Sequence, residues 1–232
     1  MVKKRGINIL LVIALIVGIL LVFNQPIKDE VIRSTGKQYQ VTNISKEEIK
    51  KNEEAPATFD ADAVEPISSE AVLRAKLSQK RLPVIGGVAV PDVGINLPIF
   101  KGLSNEALLW GAGTMSPTQV MGKGNYQLAS HHSHREDLLF APLKYAKAGQ
   151  MIYLTDLDKI YSYKITMVKI VDPSEVKWLD ERPGEELVTL VTCDSLAGLN
   201  RIVVQGELTE TKAIDQATPE AQKAFSLEQK TY

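Results

Sequence analysis

The sequence predicts an all-β domain, either a sandwich or a barrel, that follows a helical N-terminal region. After Leu82 the chain changes to short apolar or alternating segments separated by Gly, Pro and Asn, which is typical of all-β domains. The alternation is clearest in YSYKITMVKIV, whereas ELVTLVTC and RIVVQGEL indicate more deeply buried strands. A chain of 232 residues has room for one such core plus extensions, so we expect a single domain with appendages.

Eight candidate strands follow one another between Leu82 and Leu208. A helical insertion, REDLLFAPLKYA, separates the fourth from the fifth and ends near Gly149. The predicted strands are 84–90, 95–100, 111–115, 125–131, 150–155, 160–171, 187–193 and 201–208.

The first residues predict a membrane anchor. Three basic residues at 3–5 precede an apolar run at 7–23, which is about the minimum length for a helix that crosses some 30 Å of hydrocarbon. A cleaved signal peptide is the alternative, but FNQPIKDE after the run offers no small-x-small cleavage pattern. The basic cluster before the run and the acidic residues soon after it favour a cytoplasmic N-terminus at 1–6 and a transmembrane signal anchor at 7–23. Everything that follows is then expected outside the cell.

Three segments flank the β-rich region. Residues 24–65 are polar with little apolar periodicity, which predicts an extracellular stem without a core of its own. Residues 66–81 contain helix formers, and Ser68 or Ser69 can cap a helix there. Residues 210–232 are polar and predict a C-terminal tail or short helix. The net charge of −1 supplies no basic surface for nucleic acid, so we expect no such partner.

The chain has a single cysteine, Cys193, in the segment TLVTC. One cysteine cannot form an intrachain disulfide in an exported domain, so it is either a buried small hydrophobe or a reactive thiol. A reactive thiol needs a proton acceptor beside it, because the thiolate is the nucleophile. Only LASHHSH can supply imidazole: it places His131, His132 and His134 at the end of a predicted strand, and the chain has no other histidine.

Arg201 and Thr192 are the other candidates near the thiol. Arg201 opens the strand after Cys193, so its guanidinium could face the same groove and stabilise a thiolate or an oxyanion. Without the cysteine, an arginine at a wet strand end would be the better interpretation. Thr192 precedes the thiol, but alternation along a strand sends adjacent side chains to opposite faces.

These residues together resemble the sortases. TLVTC fits the TLxTC signature of that family, LASHH stands at the position of its histidine, and Arg201 has the spacing of its arginine. The pattern is most similar to class A, the housekeeping group, in its streptococcal branch, and the resemblance covers about residues 82–209. It implies a closed eight-stranded β-barrel with short helices, preceded by the anchor and stem.

The resemblance also implies an activity and the residues that carry it. Sortases are membrane-anchored cysteine transpeptidases of Gram-positive bacteria that cleave LPxTG-type sorting signals between Thr and Gly. They hold the product as a thioacyl-enzyme and pass it to an amine of the peptidoglycan precursor lipid II. Cys193 would be the nucleophile, His131 the acid and base, and Arg201 the group that binds substrate and oxyanion. No cofactor is implied, because the thioacyl bond conserves the energy of the cleaved peptide bond.

The resemblance assigns further residues by position. His131 follows the Ala-small pair that precedes the family's base, which leaves His132 as a supporting residue and His134 in the loop. Ala129 and Val191 match positions that line the groove for the Leu-Pro part of the signal; Met115 and Thr192 are further candidates. The staphylococcal enzymes bind calcium through acidic residues before the histidine strand. Because MSPTQVMGKGN has no carboxylate, we expect neither a metal site nor calcium activation.

Three other hypotheses remain at this stage. A metal hydrolase could use HHSH with Glu136 and Asp137, although no HExxH or CxxC motif completes a site. A non-catalytic surface module would bury Cys193 away from thiol reagents. A protease with the same Cys and His would deliver the acyl group to water instead of an amine.

Overall fold

The computed structural model describes residues 2–78 and 80–226 of the chain and confirms a closed barrel of eight strands. The strands run at β1 Val84–Val90, β2 Ile95–Phe100, β3 Ala112–Thr114, β4 Asn125–Ala129, β5 Met151–Thr155, β6 Lys159–Val171, β7 Leu187–Cys193 and β8 Arg201–Ala213. Each predicted strand has its counterpart. The main differences are at the ends: β4 stops at Ala129, before the histidines, and β8 continues to Ala213.

The strand order places β4, β7 and β8 side by side. Around the barrel the order is β1, β2, β3, β4, β7, β8, β6, β5, and β5 pairs with β1 to close it. β2 and β3 are parallel, as are β4 and β7, whereas the other neighbours are antiparallel. Closure leaves no open sheet edge, and the interior is filled by large buried side chains such as Ile99, Leu128, Leu154 and Tyr163.

Six α-helices lie outside the barrel among the described residues. They are α1 Val2–Val22, α2 Asn24–Gln38, α3 Lys46–Glu53, α4 Ser69–Ser78, α5 Asn105–Trp110 and α6 Pro219–Ser226. The predicted helix at 66–81 corresponds to α4, and Ser68 caps it, since its hydroxyl accepts from the Ala71 N–H at 2.9 Å. The predicted helical insertion REDLLFAPLKYA forms only a 3₁₀ segment, Ala141–Tyr145, whose second residue is Pro142. The expected tail carries the end of β8 and α6.

The segment predicted as a stem without a core is instead packed on the rest of the molecule. Ile32, Val41 and Ile49 are 1%, 3% and 1% exposed. They lie too far apart to form one apolar stripe, so no periodicity revealed them. The helix α3 also has an N-cap, because the Ser45 hydroxyl accepts from the Glu48 N–H at 3.2 Å. Widely spaced buried side chains and one helix cap thus order a segment for which the composition predicted no ordered structure.

The predicted anchor falls within α1, whose apolar side chains from Ile7 to Ile19 are exposed. Among the described residues, no single helix meets both the length and the hydropathy expected of a membrane span. Gly6–Ile19 and Asn24–Gln38 meet them only as a pair, with a bend of 63° between them.

Candidate active site

Three side chains stand in a row at one end of β4, β7 and β8. Ala129 of β4 pairs with Val191 of the parallel strand β7, and the Ser130 N–H extends this ladder by donating to the Val191 carbonyl at 3.2 Å. His131 and Cys193 each lie two residues beyond that pair, on strands spaced about 4.8 Å apart. Cys193 in turn pairs directly with Arg201 across the antiparallel β7–β8 ladder. The hydrogen-bond register therefore orders the row as His131, Cys193, Arg201.

A cavity of about 470 Å³ opens over this row. It is lined by every side chain that the sequence predicted for the site: Met115, Ala129, His131, His132, Val191, Thr192, Cys193 and Arg201. The wall also contains His134, which is exposed. A half-buried thiol in a cavity is accessible to a peptide, unlike the buried thiol that the surface-module hypothesis requires.

Gly198 keeps the space between Cys193 and Arg201 open. A Cβ at this position would lie 3.6 Å from the Cys193 Sγ and 3.9 Å from the Arg201 Nη1. Both functional atoms therefore border one small volume. Gly198 has a φ of +63°, which glycine adopts without strain. A reacting group that entered this volume would meet the sulfur and the guanidinium together.

The loop that joins β7 to β8 holds the Arg201 guanidinium in place. The Arg201 Nη1 donates to the Gly198 carbonyl at 2.9 Å and to the Asn200 carbonyl at 3.1 Å. Asp194 closes the loop, since its carboxylate accepts from the Asn200 backbone N–H at 3.2 Å and from its side-chain amide at 3.0 Å. These bonds, led by the side-chain amide, hold the pKa of Asp194 below its usual value. The sequence prediction missed Asp194 and Asn200, although an Asp, a Gly and an Asn in one short loop are a recognisable turn signal.

His131 has a neutral ring at neutral pH. Burial lowers the pKa of His131 to about 4. The residue keeps some exposed surface, but its ring Nε2 is buried and has no hydrogen-bond partner within the part of the chain that the structure describes. A nitrogen without a partner in the protein can accept a proton or a hydrogen bond from a group that enters the cavity.

His132 lies beside the site through a turn, and not on the strand. Its backbone bridges to Leu139, which closes the loop that begins at His131. Burial, followed by the nearby Lys144 ammonium, lowers the pKa of the His132 ring, while a hydrogen bond to the Cys193 carbonyl opposes this shift. His132 therefore contacts the backbone of Cys193, whereas His131 lies beside the Cys193 side chain in the register of β4 and β7.

The four groove candidates differ in orientation. Val191 lies two residues before Cys193 on the outer face of β7, and Ala129 is its partner on β4. Thr192 is only 3% exposed, and its buried hydroxyl has no partner among the described side chains.

Within residues 2–78 and 80–226, no three His, Cys, Asp or Glu side chains lie together in a way that could hold a metal ion.

The sequence prediction missed one wall of the cavity. Gln25 and Lys28 of α2 and five residues between Ala61 and Ile67 line it, all from segments that precede the barrel. No local motif marks these residues, because the fold alone brings them to the site.

Comparisons with known proteins agree with this geometry. A family model described as "Sortase domain" matches residues 88–209. The chain is 45% identical over 223 residues to sortase A of Streptococcus agalactiae, covering 94% of this chain and 90% of that protein. It is 40% identical over 204 residues to sortase A of Listeria monocytogenes, covering 88% and 91%. The solved structure of Listeria monocytogenes sortase A superposes with a TM-score of 0.57 at 44% identity, covering 61% of this chain and 97% of that one.

The match spans the whole row from His131 to Arg201, and the streptococcal relative extends it over nearly the whole chain. The chain therefore belongs to the sortase family, in the streptococcal-like branch of class A, and is a cysteine transpeptidase of the sortase A type.

Proposed function

We propose that this transpeptidase cleaves LPxTG-type sorting signals between Thr and Gly and joins the threonine carbonyl to an amine of lipid II. The observation that carries the proposal is the row of His131, Cys193 and Arg201 at the paired ends of β4, β7 and β8 in one cavity. Such a row presents a base, a nucleophile and a fixed cation to one peptide bond.

In the first half of the reaction, the Cys193 thiolate attacks the threonine carbonyl carbon. The carbonyl oxygen becomes an oxyanion, and the Arg201 guanidinium stabilises it. The C–N bond to glycine then breaks, and His131 protonates the departing glycine amine. What remains is a thioester between the Cys193 Sγ and the threonine acyl group.

In the second half, the same groups act in reverse. The acceptor amine enters where the glycine amine left, and His131 removes its proton as the nitrogen attacks the thioester. Collapse of the second tetrahedral intermediate releases the Cys193 thiolate and forms a new amide bond. No cofactor is required, because the thioester carries the energy of the original peptide bond into the product.

The lowered pKa of His131 determines where its proton comes from. A ring that titrates near pH 4 is neutral at pH 7, so it acts as an acid only after it accepts a proton from the thiol. The reactive thiolate and imidazolium pair is then a minor population of the free enzyme. The His131 Nε2 has no hydrogen-bond partner among the described residues, so it can accept the thiol proton without breaking a bond.

The groove and the location complete the proposal. Ala129 and Val191, with Met115 beside them, offer apolar surface to the Leu-Pro part of the signal, whereas the buried Thr192 side chain offers little. We propose that residues 7–23 anchor the enzyme in the cell membrane with residues 1–6 in the cytoplasm. The catalytic region at 82–209 then lies outside, where surface proteins and lipid II meet.

Mass spectrometry of the reaction products tests the proposal. The full chain in detergent is mixed with an LPxTG peptide and either a glycine- or an alanine-terminated amine. We expect a product in which threonine is joined to the added amine, and the yield of each product identifies the preferred acceptor. Cleavage with water as the only acceptor would indicate a protease, and an intact peptide would refute the proposed substrate.

A further inference from the structure

Residues 57–67, which we call the strap, run from the N-terminal helices to α4 along one side of the active-site cavity. Five strap residues line the cavity: Ala61, Val64, Glu65, Pro66 and Ile67. Of these, only Val64 and Ile67 are half-buried, and Ile67 packs against the main hydrophobic core. Of its five cavity-lining residues, the strap therefore turns two apolar side chains inward and exposes the other three.

The first attachment of the strap is at Gly102. The Leu103 N–H donates to the Thr58 carbonyl at 2.7 Å. A Cβ on Gly102 would lie 2.4 Å from that carbonyl oxygen and 2.8 Å from the Ala57 Cβ. Only glycine permits this approach, and its φ of +83° also favours glycine. The backbone at Gly102 is thus shaped to receive the strap.

The second attachment is the side chain of Asn105, at the start of α5. Its carbonyl oxygen accepts from the Glu65 N–H at 2.8 Å, and its amide donates to the Ala63 carbonyl at 3.3 Å. One amide therefore satisfies both a donor and an acceptor of the strap backbone. With the bond at Thr58, the strap backbone is held before its first cavity-lining residue and on both sides of Val64.

The strap completes the apolar part of the cavity. Val64 and Ile67 share that lining with Leu103, Leu108 and Met115. Leu103, just before α5, and Leu108, within α5, are 3% and 2% exposed, so they form an apolar floor beside the strap. Without the strap, one side of that floor would be open to water, and an apolar ligand there would lose contact area on that side.

We propose that the strap is a fixed wall of the substrate cavity that selects an apolar side chain of the bound peptide. This inference rests on the proposed function, since it assigns the leucine of the sorting signal to the strap side of the cavity. Gly102 and Asn105 are positioning residues that act through the strap, and Val64 and Ile67 make the contact.

Two substitutions release the strap without touching the catalytic row. Gly102→Ala places a Cβ against the Thr58 carbonyl, and Asn105→Ala removes both bonds to the strap backbone. Gly184→Ala is the matched control: Gly184 has nearly the same φ, +82°, but an added Cβ there meets nothing within 4 Å. Both glycine variants therefore carry the same backbone strain, and only one disturbs the strap.

Steady-state kinetics of the full chain measure KM and kcat for an LPxTG peptide and for a peptide with alanine in place of leucine. For Gly102→Ala and Asn105→Ala we expect KM for the leucine peptide to rise about ten-fold above that of Gly184→Ala, with kcat within about two-fold. The alanine peptide should show a much smaller rise, because it lacks the side chain that the strap contacts. Ile67→Ala should reproduce this difference between the peptides.

Equal KM values in Gly102→Ala, Asn105→Ala and the Gly184→Ala control would overturn the inference. A rise in KM that is the same for both peptides would also overturn it. Faster turnover in the released variants would also overturn it, because the strap would then obstruct the cavity. Alkylation of Cys193 by iodoacetamide should keep its wild-type rate, which shows that the catalytic row is intact. If the wild-type enzyme leaves the leucine peptide uncleaved, the proposed function fails, and the assignment of the strap to that leucine fails with it.

Discussion

The two halves of the catalytic row are held by different kinds of structure. Cys193 and Arg201 are directly paired in the β7–β8 ladder, and the Asp194–Asn200 bonds close the loop between them. His131 lies two residues past the end of β4, on a loop that closes through the Phe140 N–H, which donates to the His131 carbonyl at 3.2 Å. The nucleophile and the cation are thus on a strand pair, whereas the base is on a loop.

The strand pair and the loop make their residues depend on different surroundings. A ladder position is fixed by backbone hydrogen bonds, so substitution of Cys193 or Arg201 changes the chemistry of the site more than its shape. A loop position depends on side-chain packing and burial, and the buried His131 ring shows this in its lowered pKa. We expect the strand half to determine whether the reaction occurs and the loop half to determine its pH dependence.

The largest effect is expected in the strand half. Cys193→Ala removes the nucleophile, so cleavage and transfer should both fall by at least about 10⁴-fold. Because the sulfur borders a cavity, the free energy of unfolding should change by less than about 1 kcal/mol. Product analysis and chemical denaturation measure the two quantities. Turnover that survives in a folded Cys193→Ala protein would refute a thioacyl mechanism.

The loop half distinguishes two adjacent histidines. His131→Ala removes the acid and base and should lower kcat/KM by about 10²–10⁴-fold. His132→Ala removes only a contact to the Cys193 carbonyl, so we expect a loss of less than about ten-fold. Steady-state kinetics of the pair provide the test. The opposite order of effects would show that His132 is the base and that the row has been assigned one residue out of register.

Arg201→Lys tests the geometry of the strand half. Lysine keeps the charge but cannot reproduce a planar guanidinium whose Nη1 bonds two loop carbonyls at the edge of the cavity. We expect kcat/KM to fall by about 10²-fold. Wild-type kinetics in this variant would mean that a positive charge alone suffices.

A smaller effect is expected in the pH dependence of stability. Histidine in an unfolded chain titrates near 6.5, whereas folding lowers the pKa of His131 to about 4. Between these values the unfolded chain binds more protons, so the His131 contribution to stability falls as the pH falls from about 6.5 to 4.

His131→Gln removes this titration. As the pH is lowered from 7 to 4.5, the unfolding free energy of the wild type should fall by about 1–2 kcal/mol more than that of the variant. Urea denaturation at the two pH values measures this difference. Parallel curves for the two proteins would contradict a buried, neutral His131.

The smallest effect is expected from calcium. The segment before β4 carries no carboxylate that could serve as a ligand, so millimolar calcium and EDTA should give rates within about two-fold of each other. A strong activation by calcium would point to ligands on another loop.

Local signals in the sequence predict the strands and the catalytic row, but not the packed N-terminal helices or the strap. Strands such as 187–193 were readable because alternation and buried runs are local signals, and the row was readable because its members occur in recognisable motifs. The choice of His131 required register, which the Ala129–Val191 pairing supports. The packed helices at 24–53 and the strap were not readable, since Ile32, Ile49 and Asn105 act through contacts distant in sequence.

Intact-protein mass spectrometry during single turnover tests the central claim most directly. The enzyme is mixed with an LPxTG peptide in the absence of an amine, and one sample is quenched in acid. A parallel sample receives an amine before it is quenched. We expect an adduct on Cys193 with the mass of the peptide up to threonine, which disappears as the amide product forms. A product that forms without any adduct in the wild type, or an adduct that persists in Cys193→Ala, would contradict it.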